Sequence, residues 1–188
     1  GLPPEGPVFV SFNNRYKLNP PSMQRMFAVL RAVPEATLWL LAGREGADER
    51  LRSAARDAGV APARLAFMPK LPHAEYLSRS RHADLFLDTT PYTAHTTASD
   101  AIWAGCPVLT TAGGTFASRV AASLNAHLGM PELNAADDAA FVETAVRVGR
   151  DGAFRAALRA RLAERRESSG LFDMRAFAAD FAALLHTM

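Results

Sequence analysis

Short apolar runs recur along the chain up to about residue 135, and amphipathic stretches separate them. Apolar residues at consecutive positions are typical of strands that are buried on both faces, as in a parallel sheet. The runs that predict strands lie at residues 8–12, 37–42, 65–68, 84–88 and 107–110. A weaker pattern predicts a sixth strand near residues 132–133.

A helical pattern follows each of the five clear strands. These patterns lie at residues 21–33, 47–58, 72–83, 96–104 and 118–128. Pro20 and Pro21 suit the start of the first helix, and Pro34 ends it because proline lacks the backbone N–H that a helix interior needs. The alternation predicts an α/β fold with a doubly wound, Rossmann-like parallel sheet, which binds ligands at the carboxyl ends of its strands.

Three segments are expected along the chain. Residues 1–7 are rich in Pro and Gly and predict a linker, and the start at Gly1 suggests a piece of a longer protein. Residues 8–135 form the Rossmann-like core. Residues 136–188 carry helical patterns at 137–148, 153–166 and 174–186. The last pattern has an apolar stripe formed by Phe177, Phe181, Leu184 and Leu185.

Composition excludes several classes of protein. A chain of 188 residues, 49% of them apolar, can bury one core, and a net charge of +2 does not indicate nucleic-acid binding. The single cysteine, Cys106, excludes an internal disulfide, and the isolated His82, His127 and His186 lack metal-ligand spacing, so no metal is expected. No apolar run approaches the roughly 20 residues that span a bilayer, and no leader pattern opens the chain, so we expect a cytoplasmic protein.

Lys17 lies with Asn14 in the polar loop after the first strand. A lysine at the carboxyl end of a strand can neutralise a phosphate as a mobile point charge. Alternatively, Lys17 is an ordinary exposed lysine in a polar loop, and its position alone favours this second interpretation.

His95, Thr96, Thr97 and Asp100 surround the predicted start of the fourth helix. Helix N-termini present unpaired N–H groups and the positive end of the helix dipole, which suits a pyrophosphate. The imidazole and the two hydroxyls add hydrogen-bonding groups, and the Asp100 carboxylate can accept from both hydroxyls of a ribose. Alternatively, a threonine caps the helix and Asp100 stabilises its first turn, and spacing does not decide between the two.

Leu71, His73, Tyr76 and Arg79 follow the third strand. The backbone between two prolines of this stretch can hydrogen-bond the edge of a nucleotide base, and His73 or Tyr76 can lie against the base. The alternative is a strand-to-helix connection with surface side chains, which the pattern alone favours.

These loops together resemble the carboxyl-terminal catalytic lobe of the O-linked N-acetylglucosamine transferases, including bacterial members. The matching stretches, in order along nearly the whole chain, are Phe12-Asn-x-x-Tyr16-Lys17, Leu38-Trp39-Leu40-Leu41, Leu87-Asp88-Thr89, His95-Thr96-Thr97-x-x-Asp100, Trp103-Ala104-Gly105-x-Pro107, residues 117–123 and Leu171-Phe172. The resemblance implies the second lobe of a GT-B architecture. The chain departs from the family pattern at three positions. His73 stands where lysine is frequent, Tyr76 stands where histidine is frequent, and Ala94 stands where glycine commonly precedes the His-Thr-Thr motif.

The resemblance implies that the residues of two loops hold the diphosphate and the sugar. Lys17 would contact the diphosphate and stabilise the departing UDP electrostatically, without a metal or another cofactor. His95, Thr96 and Thr97 would bind the phosphates and the sugar at the helix terminus. Asn14 would lie near the donor.

The resemblance also implies a nucleoside site. Asp100 would hold the ribose, and Leu71 would bind uracil through its backbone. His73 would stack against the base, with Tyr76 and Arg79 nearby.

Members of this family transfer N-acetylglucosamine from UDP-GlcNAc to Ser or Thr hydroxyls of proteins with inversion, and UDP is the product. The resemblance implies a first lobe that carries the general base and much of the acceptor groove, and tetratricopeptide repeats that present protein acceptors, both in the full-length chain. We therefore expect a donor-binding lobe that is incomplete alone. The alternatives are a related protein N-glucosyltransferase, an epimerase built on the same two lobes, or a nucleotide-binding module without catalysis.

Overall fold

Each of the five clear apolar runs forms a strand in the computed structural model, which describes residues 2, 5–44 and 46–187. The strands are β1 (Val8–Ser11), β2 (Thr37–Leu41), β3 (Leu65–Met68), β4 (Leu85–Leu87), β5 (Val108–Thr111) and β6 (Asn134–Ala135). All neighbouring pairs are parallel, in the order β3-β2-β1-β4-β5-β6. The sixth strand follows residues 132–133 rather than containing them, because Pro131–Leu133 forms a single 3-10 turn.

Helices connect the strands of the sheet, and three further helices follow the last strand. They are α1 (Pro20–Ala32), α2 (Ala47–Asp57), α3 (His73–Ser80), α4 (Thr96–Trp103), α5 (Val120–His127), α6 (Asp138–Arg150), α7 (Gly152–Ser168) and α8 (Met174–His186). Side chains satisfy the free N–H groups where several of them begin. The side-chain oxygen of Asn19 accepts from Ser22 N at the start of α1, and that of Asp137 from Ala140 N at the start of α6.

The prediction of a doubly wound, Rossmann-like sheet is confirmed. The two central strands, β1 and β4, are adjacent although three helices and two strands separate them in sequence. Their side chains are fully or almost fully buried, with Phe9 and Phe86 at 0% exposure. This reversal of strand order opens a crevice between the segments that follow β1 and β4, which is where such sheets bind ligands.

The C-terminal helices differ in how they pack. Phe141, Ala145 and Val148 of α6 are buried against the core, and Leu158 of α7 joins them. By contrast, no residue of α8 is buried within the described part of the chain. The predicted boundaries at 8–135 and 136–188 stay predictions, and residues 1, 3 and 4 of the predicted linker lie outside the described residues.

Gly149 allows α6 to approach the sheet closely. A Cβ atom at this position would lie 2.9 Å from both methyl carbons of Val33 and 3.1 Å from the Phe9 ring. We expect Gly149→Ala to lower the free energy of unfolding by about 1–3 kcal/mol, because the added methyl overpacks the core. The midpoint of urea unfolding measures this effect.

Gly152→Ala is the matched control. The nearest atom to a Cβ at Gly152 is the mobile end of the Arg155 side chain, at 3.7 Å. Alanine is a better helix former than glycine, so this variant should unfold at the same urea concentration as the parent or higher. Equal midpoints for Gly149→Ala and the parent would contradict the close approach of α6.

Candidate functional site

A cavity of about 210 Å³ lies where the loops after β1 and β4 face one another. It is lined by Asn13, Asn14, Tyr16, Lys17, Tyr92, His95, Thr96 and Thr97. Five residues predicted from the sequence to hold a diphosphate and sugar, drawn from two loops distant in sequence, are thus side by side. We call this cavity the phosphate pocket.

Lys17 is buried and held in place, with 8% of its surface exposed. A 3-10 turn, Arg15–Lys17, directs it across the crevice, where its Nζ donates to the carbonyl oxygen of Thr93 at 2.8 Å. Burial lowers the pKa of the Lys17 ammonium, and the nearby Asp88 carboxylate partly offsets that effect. The interpretation of Lys17 as an ordinary exposed lysine is therefore wrong.

The N-terminus of α4 opens into the phosphate pocket. His95 occupies the N-cap position, and within the described chain its side chain does not cap the helix. Its Nε2 lies instead 3.2 Å from the carbonyl oxygen of Ala117, so this nitrogen carries the hydrogen. Thr97 Oγ1 donates to Asn13 Oδ1 at 2.8 Å. The alternative in which Thr96 or Thr97 caps α4 is thus wrong, and the first N–H groups of the helix lack partners within it.

Three of the residues predicted to hold the nucleoside are in contact. His73 Nε2 lies 3.1 Å from Asp100 Oδ1, and the His73 ring stacks on Tyr76 with centroids 6.2 Å apart. Tyr76 also packs edge-on against Phe12, at 5.6 Å. Burial raises the pKa of the Tyr76 phenol above its ordinary value, and Asp100 raises it further. Leu71 is half-buried in the loop just before α3.

Arg79 does not join this group. Its guanidinium pairs with Glu75 at 3.0 Å, one turn back on α3. It lines a separate cavity with Arg52 and His82, beside the outer strand β3. Within the described residues, no contact of Arg79 supports the prediction that it lies near the base.

Asp88 accepts hydrogen bonds from the loops that form the phosphate pocket, although it does not line that pocket and was not among the site residues predicted from the sequence. Its carboxylate is fully buried and accepts hydrogen bonds from Asn13 Nδ2 at 2.9 Å and from Thr89 N, Ala94 N and Thr110 Oγ1, each at 2.7 Å. Burial raises the pKa of Asp88, and these hydrogen bonds act against that rise. A carboxylate at the end of an otherwise apolar strand was the available signal, because a buried charge needs such partners.

Ala94 fits its position without strain. Among the described residues only glycines have positive φ, so Ala94 needs no left-handed backbone. It is buried, and its N–H is one of the Asp88 donors. The departure from the glycine of the family pattern is therefore compatible with this loop.

Within the described residues, no three His, Cys, Asp or Glu side chains are grouped to hold a metal ion. In that same part of the chain, every helix is too short or too polar to cross a membrane.

A sequence model of glycosyl transferase family 41 matches residues 1–181. The chain belongs to this family. A UDP-N-acetylglucosamine–peptide N-acetylglucosaminyltransferase of Caenorhabditis elegans is 36% identical over 187 residues, which is 100% of this chain and 16% of that protein. The chain thus spans a small part of the relative's length.

Two solved structures share the fold of this family 41 chain. A mutant of the Thermobaculum terrenum O-GlcNAc transferase superposes with a TM-score of 0.90 at 31% identity, over 98% of this chain and 36% of the other. A sucrose-phosphate synthase from Thermosynechococcus elongatus has a TM-score of 0.70 at 21% identity, over 99% of this chain and 46% of the other, and shows the fold alone. The resemblance to this family and the GT-B lobe inferred from it are confirmed.

Asp88 should be the most sensitive polar position of this family 41 lobe. We expect Asp88→Ala to lower the free energy of unfolding by about 3 kcal/mol, because four donors on fully buried residues lose their acceptor. Asp88→Asn retains one accepting oxygen and should cost less. Urea unfolding of the variants measures both.

Asp57→Ala is the matched control, because Asp57 is exposed on α2. It should leave the unfolding midpoint nearly unchanged. If Asp88→Ala is as stable as Asp57→Ala, the assigned hydrogen bonds do not hold the loops together.

Proposed function

We propose that this chain is the donor-binding lobe of an inverting glycosyltransferase that transfers N-acetylglucosamine from UDP-GlcNAc to Ser or Thr hydroxyls of proteins. One observation carries the proposal: Lys17, His95, Thr96 and Thr97 line a single cavity at the start of α4. Membership of family 41 and the names of the relatives supply the donor and the acceptor class.

The proposed role of Lys17 is electrostatic. When the bond between the sugar and the diphosphate breaks, negative charge grows on the departing phosphate. A buried ammonium and the N–H groups at the start of α4 stabilise that charge more in the transition state than in the bound donor. The side chains of His95, Thr96 and Asn14 supply further hydrogen bonds to the phosphates and the sugar, and the reaction needs no metal and no other cofactor.

The proposed nucleoside site lies one turn further along α4. Asp100 Oδ1 already contacts His73, so its other carboxylate oxygen is the one we assign to the ribose hydroxyls. The side chain of His73 is 67% exposed, so its ring presents a face on which the uracil can stack. The backbone of Leu71 would hydrogen-bond the edge of the base, and Arg79 would have to leave Glu75 to reach it.

The full-length protein must supply the rest of the site. In this proposal a first lobe carries the general base and the acceptor groove, and tetratricopeptide repeats present the protein acceptor. The exposed apolar stripe of α8 would pack against that first lobe, since contiguous apolar patches mark interaction surfaces. Its members are Phe177, Phe181, Leu184 and Leu185, each more than half exposed. The proposal places the reaction in the cytoplasm.

Nucleotide preference tests the donor assignment directly. We expect calorimetry of this chain to show binding of UDP and UDP-GlcNAc, and at least about tenfold weaker binding of ADP and GDP, because the base edge meets a fixed backbone. A preference for the adenosine or guanosine nucleotide would contradict the proposal.

The role of Lys17 is tested in the full-length protein. We expect Lys17→Ala to lower kcat by about 10²–10³-fold, the range for loss of a preorganised charge-stabilising group, and to weaken UDP binding by only about tenfold. Arg56→Ala, a change of the same charge on the exposed face of α2, is the matched control and should alter neither value.

Product analysis in the same assay separates the alternatives. A binding module would hold UDP and release none from UDP-GlcNAc with any acceptor. An epimerase would convert UDP-GlcNAc without an acceptor, and a protein N-glucosyltransferase would prefer UDP-glucose and modify an asparagine. Unchanged transfer by Lys17→Ala would refute its role toward the leaving group.

A further inference from the structure

Tyr92 lies between the two principal groups of the phosphate pocket. Its ring centroid is 3.8 Å from Lys17 Nζ, and the ring meets that of His95 edge-on at 5.1 Å. Thr89 Oγ1 donates to the Tyr92 carbonyl oxygen at 2.8 Å and so fixes the backbone that carries the ring. A contact this close between an ammonium and an aromatic face is a cation–π interaction.

The ammonium of Lys17 has three N–H groups and little freedom in their use. One of them donates to the carbonyl oxygen of Thr93 at 2.8 Å. The face of Tyr92 covers a second direction. The third N–H group has neither of these partners. Because Lys17 lines the phosphate pocket, this N–H can donate to an oxygen of a ligand bound there.

Other charged and titratable groups around Lys17 do not provide this orientation. Asp88 is fully buried and directs its oxygens to four other donors. His95 and Tyr16 line the same pocket, and the ring of each contacts the ring of Tyr92. The centroids of the Tyr16 and Tyr92 rings are 6.1 Å apart. Among the described residues, the ammonium thus has its hydrogen bond to the Thr93 carbonyl and its aromatic contact with the Tyr92 ring.

We propose that Tyr92 is a positioning residue whose aromatic face holds the Lys17 ammonium so that one N–H points at the bound diphosphate. A flexible lysine side chain would otherwise lose conformational freedom each time it binds a phosphate, and the ring, together with the hydrogen bond to Thr93, reduces that cost because the side chain is already ordered. The proposal rests on the proposed diphosphate site, and it deepens the role of that site by naming the group that orders its cation.

Stepwise fluorination of the ring tests the proposal. Tyr92→Phe and its mono-, di- and trifluorinated Phe analogues keep nearly the same shape while the negative potential of the ring face decreases. We expect Tyr92→Phe to bind UDP within about twofold of the parent, and the affinity then to fall with each fluorine, by about threefold to tenfold in total. A role in packing alone would give no such trend.

The same fluorinated series at Phe116 is the matched control. Phe116 is 81% exposed and its ring lies 5.8 Å from that of His95, so it contacts a residue of the phosphate pocket without lining the pocket, and within the described residues it makes no cation–π contact. UDP affinity should be constant across this series. A constant affinity across the Tyr92 series as well would overturn the proposal.

A measurement without nucleotide keeps this proposal separate from the proposed function. NMR titration of the Lys17 side chain in the unliganded chain should show its pKa falling as fluorines are added at position 92, because the ring stabilises the charged form. If UDP does not bind the parent chain but this trend appears, the donor site is refuted and the contact with Tyr92 stands. If UDP binds and neither quantity depends on fluorination, the positioning role is refuted.

Discussion

The hydrogen-bonded carboxylate of Asp88 is the interaction on which the crevice depends. A buried carboxylate is costly unless several donors surround it, and here they come from the loop after β1, from the loop after β4 and from β5. The carbonyl of the same residue accepts from Arg25 of α1, whose guanidinium also contacts Asp138 at the start of α6. One residue therefore joins the two central strands to the helices that pack on the sheet.

The hydrogen bonds of this network also position the walls of the phosphate pocket. Asn13 donates to Asp88 and accepts from Thr97, so the loop after β1 is tied to the first turn of α4. The Ala117 carbonyl accepts from Thr93 Oγ1 and lies within reach of His95, which ties the other wall to the segment before α5. Lys17 is held between these walls by its hydrogen bond to the Thr93 carbonyl oxygen. A cation fixed in a partly desolvated crevice acts more strongly on a phosphate than an exposed one, because water and salt screen it less.

Two of the C-terminal helices, α6 and α8, differ in how far their apolar side chains are buried. Phe141 of α6 is fully buried, and the guanidinium of Arg25 lies 3.9 Å from its ring, so α6 is part of the core that supports Asp88. In α8, Phe177 and Phe181 stack on one another at 6.0 Å and remain 59% and 52% exposed. The chain spans 16% and 36% of the length of two of its relatives.

The sequence by itself determined the parallel α/β fold and the family, and it named the loops in which the candidate site lies. Apolar runs and helical periodicity depend on local burial and spacing, and motifs such as His95-Thr96-Thr97 are read directly from the chain. Only the tertiary structure decided that Lys17 is buried, that Thr97 contacts Asn13 rather than capping α4, and that Arg79 turns to Glu75. It also decided the partners of Asp88 and Tyr92, because most of those contacts join residues from separate loops. Local pattern cannot specify such contacts, since they exist only after the order of the strands has brought the ends of β1 and β4 together.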